Sequence, residues 1–252
     1  MAIVTLLTDF GLSDSYVAEI KAAMLAVADD IRFIDITHEI ALGDVQSAQY
    51  LLDRTWHRFP VGSVHVAIVD PGVGTSRRAI AAQSHGHCFV APDNGILTTV
   101  LDGATVVELP VRDQAAPTFH GRDVFAPAAA QLAAGIAIEE VGRPFDGWHR
   151  VPLPVARLIG GDMVGAVVHV DGFGTLVSNV RGEDLAPDAV VTVGTVVVGP
   201  LQRTFGDVES GELLGFVGSA GTVEIAVRDA SAVHQLGVGV GTVVRVKHAI
   251  PR

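Results

Sequence analysis

Cysteine is almost absent: Cys88 stands alone among 252 residues. One thiol cannot close an internal disulfide or build a thiolate zinc cluster. It lies in His87-Cys88-Phe89-Val90, where it reads as a small buried hydrophobe. Aromatics are scarce, with 10 Phe, 2 Tyr and 2 Trp, and they form no base-stacking set. Positive charge is in deficit. Against 28 Asp and Glu stand 17 Lys and Arg, a formal net charge of -11. Such a chain is poorly equipped to neutralise phosphates, so no nucleic-acid partner is expected. Long apolar runs are missing too. The longest, Ala189 to Leu201, is broken by Thr and Gly and is too short to span a bilayer. Met1 to Thr5 enters a strand pattern without a basic segment, so no signal peptide, no membrane and a cytoplasmic location are expected.

Several catalytic signatures are also absent. Gly72-Val73-Gly74 is a fragment of a glycine-rich loop, but no phosphate-loop lysine or dinucleotide fingerprint accompanies it. Asp9-Phe10-Gly11 spells the kinase triplet without any other kinase element, and there is no Gly-x-Ser-x-Gly elbow. The 10 histidines form no His-x-x-x-His pair. His38, Asp70 and His120 remain an alternative metal set.

What is present is a globular composition, 49% hydrophobic and 18% charged. The first half alternates strands and helices. Ile3–Leu7, Ile31–Ile36 and Ser63–Val69 read as buried strands. Val17, Ile20, Met24 and Val27 mark a helix from Ser13 to Val27, which Ser13 or Asp14 can cap. Val45, Ala48, Leu52 and Trp56 mark a second. Ala79–Gln83 and Cys88–Ala91 form a hairpin around Ser84-His85-Gly86. Gly121–Ala134 reads as a helix that Pro127 kinks or restarts. After a Pro- and Gly-rich linker at about 142–161, helical patterns nearly vanish. Met163–Val170, Val190–Val198, Thr222–Val227 and Gly241–Lys247 are short strands. The expectation is an α/β protein. Residues 1–155 form a mostly parallel sheet flanked by helices, and residues 156–252 a smaller antiparallel β-barrel-like domain.

Ligands gather beyond the carboxyl ends of parallel strands. Asp9 follows the first strand and Asp70 the third. Asp93 follows the hairpin, where it can instead cap a helix starting near Gly95. Thr118-Phe119-His120-Gly121-Arg122-Asp123 places His, Arg and Asp at a loop-to-helix junction. Each acid alone has an ordinary reading as a turn or cap residue; together at one edge they point to a site.

Six ordered stretches carry a resemblance. They are Thr8-Asp9-Phe10-Gly11, Val69 to Arg78, Ala91-Pro92-Asp93-Asn94-Gly95, Thr118 to Asp123, Asp171-Gly172-Phe173-Gly174, and Gly218-Ser219-Ala220-Gly221 with Glu224-Ile225-Ala226. In this order the chain resembles the S-adenosylmethionine hydroxide adenosyltransferases, relatives of fluorinase and chlorinase, from about residue 3 to 230. The resemblance implies hydrolysis of S-adenosyl-L-methionine to adenosine and L-methionine, without metal or cofactor. It implies a homotrimer with sites at subunit interfaces, between the N-terminal domain of one subunit and the C-terminal domain of the next. Asp70, Arg77 and His120 take the place of the water-activating set. Asp9 takes that of the ribose ligand and Asp14 that of the methionine-amine ligand. Phe173 matches the aromatic ring on adenine, and Ser219 the methionine end. Asp171, Thr175 and Glu224 complete the implied substrate-binding residues.

The chemistry suits these types. Methionine leaves the sulfonium as a neutral thioether, so the reaction needs a positioned oxygen nucleophile rather than a strong acid. Asp70 can accept from water, Arg77 can hold Asp70 ionised, and His120 can share the proton. Thr175 stands where the family has Asn, and Asn179 at even spacing is a candidate to compensate. An anionic Asp70 within about 4 Å of a halide would cost about 4 kcal/mol at an effective dielectric of about 20, which favours water over halide. The competing readings are a non-catalytic binder of the same ligand and a halide-using transferase.

Overall fold

The computed structural model describes residues 1–249. The chain divides into two compact units, Met1–Pro152 and from Leu153 onward. In the first, β1 (Ala2–Thr8), α1 (Tyr16–Leu25), β2 (Ile31–Thr37), α2 (Val45–Thr55), β3 (Val64–Ile68), β4 (Ala79–Ser84), β5 (His87–Pro92), β6 (Thr105–Glu108), α3 (Ala126–Ala133), α4 (Ile138–Val141) and β7 (Arg143–Pro144) follow in order. The sheet order is β2-β1-β3-β5-β4-β6-β7. The first four strands are mutually parallel and the remaining pairings antiparallel. The parallel core expected from the alternation is present; the antiparallel edge makes the sheet mixed.

Side-chain alternation explains why the sheet is covered on both faces. Leu6, Val66 and Ile68 pack with Ile20 and Met24 of α1 and with α3. Their neighbours Leu7, Ala67 and Val69 pack on the other face with Ala48 and Leu52 of α2. Burying both faces demands near-continuous apolar strands, and β3 is buried at every position.

Local details differ from expectation where a polar side chain found another partner. Neither Ser13 nor Asp14 caps α1. Ser15 occupies that position without a capping bond, and its hydroxyl donates to Glu19 instead (2.7 Å). The helix expected from Gly121 begins as a π-helical turn, Gly121–Phe125, and becomes α3 only at Ala126, with Pro127 in its first turn. Asp93 caps no helix; its Oδ1 accepts from the backbone N–H of His149 (2.7 Å).

One polar chain threads this sheet. His65 is fully buried, with Nδ1 2.8 Å from the Thr5 hydroxyl and Nε2 3.1 Å from Nδ1 of His87. Burial first, then the neighbouring His87, push the His65 pKa down to about 3. Burial and His85 push His87 down as well. Both pKa values lie below the unfolded value of about 6.5, so stability is full above that pH and is lost as pH falls below it. The expected slope is about 1.4 kcal/mol per pH unit for each ring that stays neutral in the folded state. Urea midpoints between about pH 7 and 5 should drop, and His65→Phe should flatten that drop. Identical pH profiles for the two proteins would contradict the assignment.

The second unit contains β8 (Arg157–Ile159), β9 (Asp162–Val170), β10 (Leu176–Arg181), β11 (Leu185–Val193), β12 (Val196–Gln202), β13 (Leu213–Val217), β14 (Thr222–Val227), α5 (Ala232–Leu236) and β15 (Val243–Ala249). Strands β10-β14-β13-β12-β11-β15-β9 close into a ring through the β9–β10 pairing, and β8 adds to β9. All these pairings are antiparallel except β12–β13. The barrel-like domain is therefore a seven-stranded closed barrel. Val190–Val198, expected as one strand, is a hairpin that turns at Gly194. Among the described residues no helix is long and apolar enough to cross a membrane.

Candidate active site

Register sets the first cleft. Thr8 at the end of β1 pairs with Ile68 at the end of β3, so Asp9 and Asp70 leave adjacent parallel strands at one edge. A cleft of about 650 Å³ opens there, walled by Asp9, Asp70, His120, Gly43 and the aromatic rings of Phe10, Tyr16 and Phe119. It lies at the carboxyl end of the parallel strands, where such folds place ligands.

The loop after β3 returns Arg77 to Asp70. Val73 N–H donates to the Asp70 carbonyl (3.2 Å), and Thr75 donates to Gly72 through both its N–H (3.1 Å) and its hydroxyl (2.7 Å). Gly74 has φ 76°, and a Cβ there would meet the Pro117 carbonyl. Arg77 Nε then donates to both oxygens of Asp70 at 2.9 Å, and Nη2 donates to Oδ2. Its guanidinium carbon sits 5.1 Å from the Phe125 ring.

His120 closes the set. The π-helical turn that follows it places its Nδ1 3.0 Å from Nη2 of Arg77. A guanidinium can only donate, so Nδ1 accepts and the neutral ring carries its proton on Nε2. Burial first, then the Arg77 charge, lower the His120 pKa from its ordinary value, while Asp70 and Asp123 pull it upward. Asp70, Arg77 and His120 are thus one hydrogen-bonded unit. Asp9 sits apart on the same wall, with Oδ2 accepting from Gly43 N–H (2.9 Å).

Sequence reasoning named the polar wall and missed the apolar one. Phe10, Tyr16 and Phe119 pack with ring centroids 5.2 to 6.2 Å apart. Phe10 and Phe119 adjoin Asp9 and His120 in the chain, and that adjacency was the available signal. Asp14 is exposed and is not part of this wall. His38 does not face Asp70 and His120 as a metal set; its Nδ1 bonds the Thr8 hydroxyl (2.8 Å). Among the described residues no group of three or more His, Cys, Asp or Glu could hold a metal ion.

The barrel carries a second cleft of about 720 Å³, lined by Asp171, Phe173, Thr175, Ser219 and Glu224. All five were candidates from sequence. Phe205, Phe216 and Asp229 also line it and were not. Asp171 Oδ1 accepts from the N–H groups of Phe173 (3.0 Å) and Thr175 (2.8 Å), which folds the turn and leaves Phe173 86% exposed. Asn179 does not compensate for Thr175. Its Oδ1 accepts from Ala166 N–H (2.8 Å) and its amide donates to the Pro154 carbonyl (2.6 Å), so both ends of the amide are used in the barrel wall.

Comparison with known proteins bears on both units. The model described as the SAM hydroxide adenosyltransferase N-terminal domain matches residues 4–142, and that of its C-terminal domain matches residues 165–245. An (R)-S-adenosyl-L-methionine hydrolase of Thermus thermophilus is 39% identical, over 95% of this chain and 97% of its own. One of Salinispora tropica is 39% identical over 95% of each. A fluorinase of Nocardia brasiliensis is 30% identical over 97% of this chain and 96% of its own. A crystal structure of an uncharacterized conserved protein from Thermotoga maritima superposes with a TM-score of 0.90 at 34% identity, covering 97% of this chain and all of that one. Both halves match in order and the relatives align along nearly the whole length, so the chain belongs to the SAM hydroxide adenosyltransferase family.

Proposed function

We propose that this protein hydrolyses S-adenosyl-L-methionine to adenosine and L-methionine. The observation that carries the reading is the Asp70–Arg77–His120 unit on the wall of the strand-end cleft. The three hydrolase relatives at 38 to 39% identity support the same reaction. Their shared name specifies the R configuration, and we take that sulfonium epimer as the substrate.

In this mechanism a water oxygen attacks the ribose C5′. The O–C5′ bond forms as the C5′–S bond breaks, and its electron pair neutralises the sulfonium. The water proton passes to the Asp70 carboxylate and on to solvent. Arg77 fixes the carboxylate through parallel hydrogen bonds. His120 presents Nε2–H, so it orients the water as a donor while its Nδ1 stays bonded to Arg77. Asp9 receives the ribose hydroxyls. In the second cleft, Phe173 takes the adenine face, with Asp171, Thr175, Ser219 and Glu224 around the remainder of the substrate. Asp14 meets the methionine amine from the rim. No metal and no cofactor takes part, and the enzyme works in the cytoplasm.

Incubation in heavy-oxygen water with mixed sulfonium epimers tests the reaction. Labelled adenosine and loss of the R epimer are expected; ligand bound but uncleaved would overturn it. A chelator is expected to leave the rate unchanged. The acid limb of kcat/KM should fall below about pH 6.5, because protonated His120 can no longer accept from Arg77. A midpoint at or above that value would contradict the neutral imidazole.

The assembly we propose is a homotrimer with sites at subunit interfaces. Light scattering on the eluting protein should give three times the 26.3 kDa chain mass. A fully active monomer would rule out a shared site.

A further inference from the structure

We propose that His38 is a positioning residue that holds Asp9 in the first cleft, acting through Thr8. The proposal rests on the reading of Asp9 as the ribose ligand. The parallel register pairs Leu7 with Thr37, so Thr8 and His38 leave neighbouring strands side by side. Both are almost fully buried, at 1% and 3% exposure. Nδ1 of His38 lies 2.8 Å from the Thr8 hydroxyl, and that oxygen also accepts from Phe10 N–H (3.3 Å). The His38 carbonyl accepts from Gly11 N–H (2.8 Å). Residues 8, 10 and 11 are thus tied, directly or through Thr8, to the single residue His38.

The segment that His38 opens then returns to the same carboxylate. Gly43 N–H donates to Oδ2 of Asp9 at 2.9 Å. Among the described residues no group donates to Asp9 Oδ1, which leaves that oxygen for a ligand. On its far side His38 is backed by charge: Nε2 lies 3.3 Å from Asp35 Oδ1, and Asp35 Oδ2 holds Lys21 Nζ at 2.7 Å. The imidazole is therefore wedged between an ion pair and the Asp9 turn. The ring's bond goes to the Thr8 hydroxyl, which in turn holds Phe10 N–H, while the main-chain carbonyl of His38 supplies the Gly11 bond; ring and backbone together hold both flanks of one cleft-facing acid. A carboxylate bridging two ribose hydroxyls must be placed within a few tenths of an ångström, which is what such a clasp provides.

The test uses the full-length protein, with adenosine affinity by calorimetry and steady-state KM and kcat as readouts. His38→Ala should weaken adenosine binding by about tenfold and raise KM by a similar factor. Thr8→Val, which removes only the hydroxyl at nearly constant volume, should do the same. His38→Asn should restore binding to within about threefold, because its amide occupies the place of Nδ1 and can serve the Thr8 hydroxyl. A purely structural role would predict loss of melting temperature without this recovery by Asn. Wild-type affinity in both His38→Ala and Thr8→Val would overturn the proposal. So would a His38→Asn variant as weak as His38→Ala at the same melting temperature. Wild-type protein that binds no adenosine would instead overturn the functional reading, and this proposal with it.

Discussion

Asp70→Ala should abolish turnover of S-adenosyl-L-methionine while leaving substrate affinity within about tenfold. In the proposed mechanism the carboxylate faces a neutral water in the ground state and a developing proton in the transition state. Its interaction therefore strengthens along the reaction, and its loss falls mainly on kcat. Removing a general base costs about a hundred- to ten-thousand-fold. Asp70→Asn sharpens the test. It keeps the volume and one acceptor oxygen but loses the negative charge that takes the proton. It should be as inactive as the alanine variant and closer to wild type in stability. Single-turnover measurements with labelled substrate, alongside equilibrium binding, separate the two effects. An alanine variant with wild-type turnover would remove Asp70 from the mechanism.

Arg77→Met should lose both activity and stability. The Asp70 carboxylate is 6% exposed, and Arg77 supplies its charge partner. Without that partner the carboxylate is a buried, unpaired anion, a defect that costs about 3–5 kcal/mol. For a domain of this size the expected fall in melting temperature is about 10 °C. Arg77→Lys discriminates charge from geometry. An ammonium can pair with Asp70 and recover part of the melting temperature. It cannot reproduce the planar fork that reaches both Asp70 oxygens and His120 Nδ1 together. Stability should return in part and turnover should not. Full recovery of turnover in the lysine variant would mean that charge alone suffices.

The two variants probe different links in one chain of cause. Arg77 bonds His120 as well as Asp70. Burial first, and then its guanidinium, lower the imidazole pKa, and its Nη2 occupies Nδ1. The sequence suggested that His120 shares the proton of the attacking water. In the proposed mechanism this hydrogen bond makes it a donor through Nε2 and leaves proton acceptance to Asp70.

Sequence alone determined the parts that depend on local periodicity and ordered spacing. Apolar runs of Ile3–Leu7 and Ser63–Val69 between helical patterns meant a parallel core covered on both faces, and the short Gly-punctuated strands after residue 161 meant a small antiparallel β domain, barrel or sandwich, whose closure through the β9–β10 pairing the tertiary structure decided. Motif order alone carried the resemblance that singles out Asp9, Asp70, Arg77 and His120. Tertiary structure decided what depends on register and on competition among partners. Arg77 and His120 meet across 43 residues, and Thr8 and His38 across 30; no local pattern encodes those distances. Asn179 had the right spacing to assist Thr175, yet Ala166 and Pro154 took its amide. Strand pairing supplies backbone N–H and C=O groups that must be satisfied when buried, and a nearby amide satisfies them before any ligand arrives.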